Sequence, residues 1–404
     1  MTAAAGGGGA PFALPARTDD RETAEGWTRW RTTRHDFVSA PVLTLADYRL
    51  LSPRHKTLHD LHRAATHSNL HFQETPMSLE VARLVGRRIQ NNALKREPVT
   101  RAGVMVSGGG YQGKTETVCE VAAAFEELWL DAVQFTNPEA DPGTRDDHFP
   151  VVYVQTPVKA TPKSLCKTIL DFFGGPIAGR WTLPDLVRQV RTCLRDHAVK
   201  ALIIDDITRL KMHREDDQDT LDLIRGLMSM GTTLVLVGVD IRGSGLLGRV
   251  RPDTRVGLAG AALAQTRRRF DVINLDPFSY DTPTAIGAWT SHLAGIEQQI
   301  RLFHTTPGML TDGTMPEYLF RRTDGVVGYL ERLIEDGCSI AIEDGLERLD
   351  EALLDGVAIN LEGSPGRDPG SGEIPPVPTA AGPGATAKSG RNTVFDDHSA
   401  KAAG

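Results

Sequence analysis

Residues 104–129 read VMVSGGGYQGKTETVCEVAAAFEELW, and the fold turns on this stretch. An apolar run leads into a glycine-rich turn, and an amphipathic helix follows with Val118, Val121, Phe125 and Leu128 on one side. Gly108, Gly113, Lys114 and Thr115 have the spacing G-x-x-x-x-G-K-[ST] of a phosphate-binding loop. Glycine is required there because backbone N–H groups must approach phosphate oxygens closely, and Gly109 and Gly110 loosen the turn further. The loop as a whole, Gly108 to Thr115 with Tyr111 and Gln112 inside it and Glu116 beyond, is the expected nucleotide-binding segment. Lys114 is expected to supply a cation to the β- and γ-phosphates, Thr115 a hydroxyl to Mg²⁺, and the helix start its positive dipole.

A Mg²⁺-nucleotide site also needs a carboxylate at the end of a neighbouring strand. KALIIDDITRL, residues 200–210, supplies one after four apolar residues, making Asp205 the metal-side candidate. Asp206 occupies the place of a residue that orients or deprotonates the attacking water. It is either that group, giving slow hydrolysis, or part of a site that binds ATP as a switch. Strand ends in an open parallel sheet point into the ligand crevice, so Asp240 after TTLVLVGV is a candidate polar sensor or, equally, a loop cap. Arg267, Arg268 and Arg269 precede the next apolar run. One of Arg268 and Arg269 is a candidate arginine finger, with a solvated helix end as the alternative.

Working outward, the β-rich runs 104–107, 151–155, 201–205, 233–238 and 272–275 alternate with helical patterns, which argues for an α/β fold with a doubly wound parallel sheet. Helical periodicity covers 53–71 and 77–92 before the loop, and 283–302, 315–323, 326–343 and 346–355 after the last strand. The expected division is a disordered tail at 1–25, a helical extension at 26–98, a nucleotide-binding core at 99–280, a helical lid at 281–358 and a second disordered tail at 359–404.

Composition excludes more than it selects. At 404 residues the chain can bury a core without disulfides, and its four cysteines contain no CxxC pair. The first residues lack the basic start and apolar run of a signal peptide, and no stretch is apolar enough for a bilayer, so a cytoplasmic protein is expected. A net charge of -7 speaks against a generally basic coat, while local patches such as Arg209, Lys211, His213 and Arg214, or Arg83, Arg87 and Arg88, could still meet phosphates. His55, His59 and His62 share a helical face with His67 and His71 beyond. No HExxH or cysteine completes a zinc set, so this face reads as polar or DNA-facing.

The order of these motifs resembles an AAA+ ATPase. Over about residues 45–358 the chain resembles more narrowly the TniB and TnsC group of bacterial transposition regulators, related to the MuB and IstB ATPases. The segments LSPRHKTLHDLHRAATHSNLHFQETP, RRRFDVINLDPFS and TDGVVGYLERLIEDGCSIAIEDG carry that narrower likeness. The resemblance implies an ATPase using ATP and Mg²⁺ that assembles as an ATP-dependent homo-oligomer on duplex DNA and recruits or activates a transposase. It also makes Arg332 in the lid a candidate second sensor. The chain departs from the group's pattern at Asp206, where glutamate is usual, and at Val239 and Asp240, where threonine or asparagine is common. A helicase-loader-like ATPase shares the same core, and a non-hydrolysing interaction switch remains the reading from a different class.

Overall fold

The computed structural model describes residues 20–97, 99–139, 148–158, 160–175, 180–210, 217–243 and 268–359. Five strands, β1 (Gly103–Gly108), β2 (Val151–Gln155), β3 (Ala201–Asp205), β4 (Thr233–Val239) and β5 (Phe270–Asn274), form one parallel sheet in the order β2-β3-β4-β1-β5. Val104, Val106, Val152, Val154, Ile203, Ile204, Val235 and Leu236 are buried, as strands covered by helices on both faces must be. The register pairs Gly108 with Val239 and Ser107 with Asn274, so the phosphate loop leaves the C-terminal edge of the sheet between β4 and β5. This is an α/β fold with a parallel sheet whose first strand runs into the glycine-rich loop. One expectation needs adjusting: β3 is not the immediate neighbour of β1, because β4 lies between them.

Helix α1 (Ala24–Thr33) starts within the expected N-terminal tail. It is ordered because Thr23 caps it and Trp27, fully buried, anchors it to the core. Within the expected tails, residues 1–19 and 360–404 lie outside the described residues.

Next come α2 (Leu45–Leu50), α3 (Pro53–Ser68) and α4 (Pro76–Ala93), each opened by a Thr or Ser cap. They do not form one body. Val81, Val85 and Ile89 of α4 pack into the core around the sheet, and Asn92 Nδ2 donates to the Ala102 carbonyl at 2.8 Å. Helix α3 instead packs on the C-terminal helices, where Arg63 donates to both carboxylate oxygens of Glu347, at 2.7 and 3.1 Å. His59, His62 and His67 are buried on this helix, so they are not a polar or DNA-facing surface. His62 Nε2 bonds the Val38 carbonyl at 2.8 Å, and His67 Nε2 accepts from the Arg301 amide at 2.9 Å.

The phosphate loop runs into α5 (Lys114–Thr136), and α6 (Pro162–Phe172), α7 (Leu183–Asp196) and α8 (Asp217–Met228) complete the core's described helices. A second apolar core, built on Trp289, Leu293, Leu319, Leu330 and Leu333, joins α9 (Pro283–Glu297), α10 (Met315–Thr323), α11 (Val327–Glu343) and α12 (Glu351–Asp355). Residues 346–350 are not helical as the periodicity predicts. Glu347 takes a left-handed φ of 56° there and turns its carboxylate toward Arg63. Among the described residues no helix is long and apolar enough to cross a membrane.

Candidate nucleotide-binding site

Gly108 ends β1 in a space that only glycine fits, since a Cβ there would meet the Leu275 carbonyl at 2.4 Å. The loop closes at Gly113, whose φ of 74° is left-handed and whose lack of a side chain leaves the first turn of α5 without a side-chain cap. That turn presents backbone N–H groups and the positive end of a 23-residue helix to the C-terminal edge of the sheet. Lys114 is folded back, with Nζ donating to the Gly109 carbonyl. Burial lowers its pKa, while the charges of Asp205 and Asp206 oppose the shift.

Thr115 and Asp205 meet. Thr115 Oγ1 donates to Asp205 Oδ2 at 2.6 Å, bridging the phosphate loop to the end of β3 past the intervening β4. Oδ2 also accepts from Tyr153 Oη at 2.9 Å, and Oδ1 accepts from the Asp206 amide at 2.7 Å. A hydroxyl and a carboxylate form a hard oxygen donor pair of the kind that suits Mg²⁺. Asp206 has a left-handed φ of 50°, and its carboxylate is held by Gln155 Nε2 at 3.1 Å and Arg209 Nη2 at 2.7 Å.

The other candidates are more dispersed. Asp240 has a φ of 42° and accepts from the Gly243 amide at 3.0 Å, the geometry of a turn-capping aspartate. Arg268 and Arg269 precede β5, where the Arg269 carbonyl accepts from the Gly103 amide at 2.9 Å. They therefore lie at the N-terminal edge of the sheet, opposite the chain's own phosphate loop. Arg267, Lys211, His213 and Arg214 lie outside the described residues. Arg332 is mostly exposed and sits 3.7 Å from Asp336, whereas its neighbour Glu331 lines the cavity beside the loop.

That cavity, of about 220 Å³, lies between the 70–78 segment, the phosphate loop and the helices α9 and α11. Helix α11 touches the loop directly: the Gly328 amide donates to the Tyr111 carbonyl at 2.9 Å, and the Tyr111 and Tyr329 rings stack at 5.3 Å. Tyr111 holds a left-handed φ of 57° to do so.

Two further groups were not singled out from sequence. Tyr153 carries the one ring in the strand VVYVQ, a weak hint that its hydroxyl needs a polar partner. Arg21 bonds both oxygens of Glu116, at 2.6 and 3.2 Å, and sits 4.8 Å over the Trp30 ring. Burial is the largest single influence and works against its charge, but the Glu116 hydrogen bond together with the charges of Cys119, Glu116 and Tyr153 raises its pKa. Nothing local in the sequence marks it.

Residues 87–243 match the family model for the bacterial TniB protein. The TniB match runs from within α4 to just beyond β4 and so contains the phosphate loop, Asp205 and Asp206. No curated protein matches the chain. Among solved structures it is similar to the ORC2 protein of Aeropyrum pernix in ADPNP-ADP complexes, with 14% identity, a TM-score of 0.49, and 72% of this chain and 70% of that chain covered. Cdc6p of Pyrobaculum aerophilum gives 12% identity, a TM-score of 0.48 and coverage of 73% and 74%. The Aeropyrum pernix ORC1 protein in complex with DNA gives 13% identity, a TM-score of 0.47 and coverage of 70% and 64%.

Proposed function

We propose that this chain is an ATP-dependent regulator of transposition that binds Mg²⁺-ATP at the 108–116 loop, hydrolyses it slowly, and assembles on duplex DNA to recruit or activate a transposase. The observation that carries the nucleotide reading is the Thr115–Asp205 hydrogen bond of 2.6 Å beside the buried Lys114. The TniB match supports the transposition reading.

In this reading Lys114 leaves the Gly109 carbonyl for the β- and γ-phosphates, and the N–H groups of the loop and first helical turn cradle their oxygens. Mg²⁺, when bound, neutralises charge on the phosphates, and Thr115 and Asp205 are the residues that would hold it. Asp206 accepts a proton from, or orients, the attacking water; its carboxylate must first loosen from Arg209 and Gln155, consistent with slow turnover. Arg268 or Arg269 reaches a nucleotide only across a subunit boundary, because both stand at the sheet edge away from their own loop. Hydrolysis then favours release of the oligomer.

The test is sedimentation with duplex DNA in the presence of no nucleotide, ADP or a non-hydrolysable ATP analogue. Large complexes formed only with DNA and the analogue are expected. An absence of DNA binding in every nucleotide state would remove the transposition reading and leave a protein-binding ATPase or switch.

A further inference from the structure

Two groups compete for the positive field at the start of α5. One is the ligand of the phosphate loop, and the other is Glu116, an acidic residue inside the same first turn. A free carboxylate there would stabilise the helix end and repel a polyphosphate held by the neighbouring Lys114 and Thr115. Glu331 lines the adjacent cavity together with Glu116 and adds a second carboxylate to that side.

The Glu116 carboxylate is not free. Arg21 reaches it from the segment ahead of α1, with Nη2 donating to Oε1 at 2.6 Å and Nη1 donating to Oε2 at 3.2 Å. Two donors on two oxygens is the strong, directional form of such a contact. The guanidinium is itself fixed, 4.8 Å from the centre of the Trp30 ring and 5.9 Å from that of Tyr153, whose hydroxyl holds Asp205. Helix α1 has separate ties to α5 farther along. Trp27 Nε1 donates to Glu126 at 2.5 Å, and Arg34 donates to both oxygens of Glu127, at 2.5 and 3.0 Å. These contacts anchor the helix, while Arg21 is directed at the loop end.

We propose that Arg21 is a positioning residue for the phosphate site: it neutralises Glu116 and ties that carboxylate to the N-terminal segment, which leaves the helix start and Lys114 to the ligand. The inference rests on the nucleotide-site reading above and adds to it a residue outside the 87–243 match. A compensating pair and a merely structural pair differ in sign. If the contact only fixed α1, removing either partner would loosen the site. Because Arg21 offsets the Glu116 charge, loss of Arg21 weakens phosphate binding and loss of Glu116 strengthens it.

The test is equilibrium binding of ATP and inorganic tripolyphosphate to the full chain and to Arg21→Gln, Glu116→Gln, Arg21→Gln/Glu116→Gln and Arg34→Gln. Arg21→Gln should weaken both probes by about tenfold, the scale of a lost contact to a charged group. Glu116→Gln should tighten both, and the double variant should return to within about threefold of the full chain. Arg34→Gln, which loosens α1 away from the loop, should bind as the full chain does. Glu116 has a half-exposed side chain, so Glu116→Gln keeps the test decisive if Arg21→Gln does not fold. Undiminished binding in Arg21→Gln, unchanged or weakened binding in Glu116→Gln, a double variant as weak as Arg21→Gln, or an equal loss in Arg34→Gln would overturn the inference while leaving the phosphate site intact. Failure of the full chain to bind either probe would instead overturn the nucleotide site itself.

Discussion

Tyr153 Oη and Asp205 Oδ2 are 2.9 Å apart, and the same carboxylate oxygen accepts from Thr115. Tyr153 is buried and stacks on Trp27, so the carboxylate proposed to face Mg²⁺ is aimed by a residue tied to α1. Tyr153→Phe keeps the stacking ring and removes the bond. It should raise the Mg²⁺ concentration needed for tight nucleotide binding several-fold while costing about 1 kcal/mol of stability. Fluorescent-nucleotide titration at stepped Mg²⁺, with urea unfolding as the control, reads both. An unaltered Mg²⁺ dependence would show that Tyr153 only packs.

Lys114→Ala should abolish measurable ATP binding or its productive use. Asp206→Asn should impair turnover more than binding. Calorimetry with ATP and steady-state phosphate release separate the two effects, and wild-type behaviour in Lys114→Ala would remove the site assignment altogether.

Arg63 and Glu347 form a buried pair joining α3 to the turn between α11 and α12. Arg63→Met leaves the Glu347 carboxylate without its cation, with only the Phe303 amide donating to it, and should destabilise the fold by about 3–5 kcal/mol, whereas the Arg63→Met/Glu347→Leu double variant should recover much of that loss. Urea unfolding of the four-member cycle gives the coupling. Additive losses would mean that the pair is not an energetic unit.

Glu126 is buried, and burial raises its pKa to about 7 even though Trp27 Nε1 donates to it at 2.5 Å. A carboxyl group with a raised folded pKa stabilises most below its unfolded value near 4.5, and that stability is lost as pH rises toward 7. Wild-type stability relative to Glu126→Gln should therefore fall between about pH 4.5 and 7, by on the order of 1 kcal/mol per pH unit. Paired urea titrations across that window measure the difference, and parallel curves would refute it.

The phosphate loop, the β3 carboxylates and the alternation of strands and helices were legible because each is written in a local pattern: a fixed glycine spacing, an apolar run ending in Asp, a helical repeat. The last strand begins at Phe270, ahead of the predicted 272, because Phe270 and Asp271 pair with Gly103 and Val104, contacts that no local window contains. The N-terminal extension read as one helical unit for a similar reason. Periodicity marks the buried faces of α3 and α4 but does not say that one meets the C-terminal helices and the other the sheet.

The chain's own order of residues determined that a glycine loop would stand at the head of a helix, that aspartates would end an apolar strand, and that the sheet would be parallel, since spacing and hydrophobic period act over a few neighbouring residues. The tertiary structure alone decided which distant groups share that site. Arg21 meets Glu116 across 95 positions, Tyr153 meets Asp205 across 52, and Gln73 and His292 meet in one cavity. It also decided that Asp240 caps a turn while Arg268 and Arg269 stand at the far edge of the sheet. These are consequences of packing, in which burying two apolar cores brings together side chains whose sequence separation carries no signal of their contact.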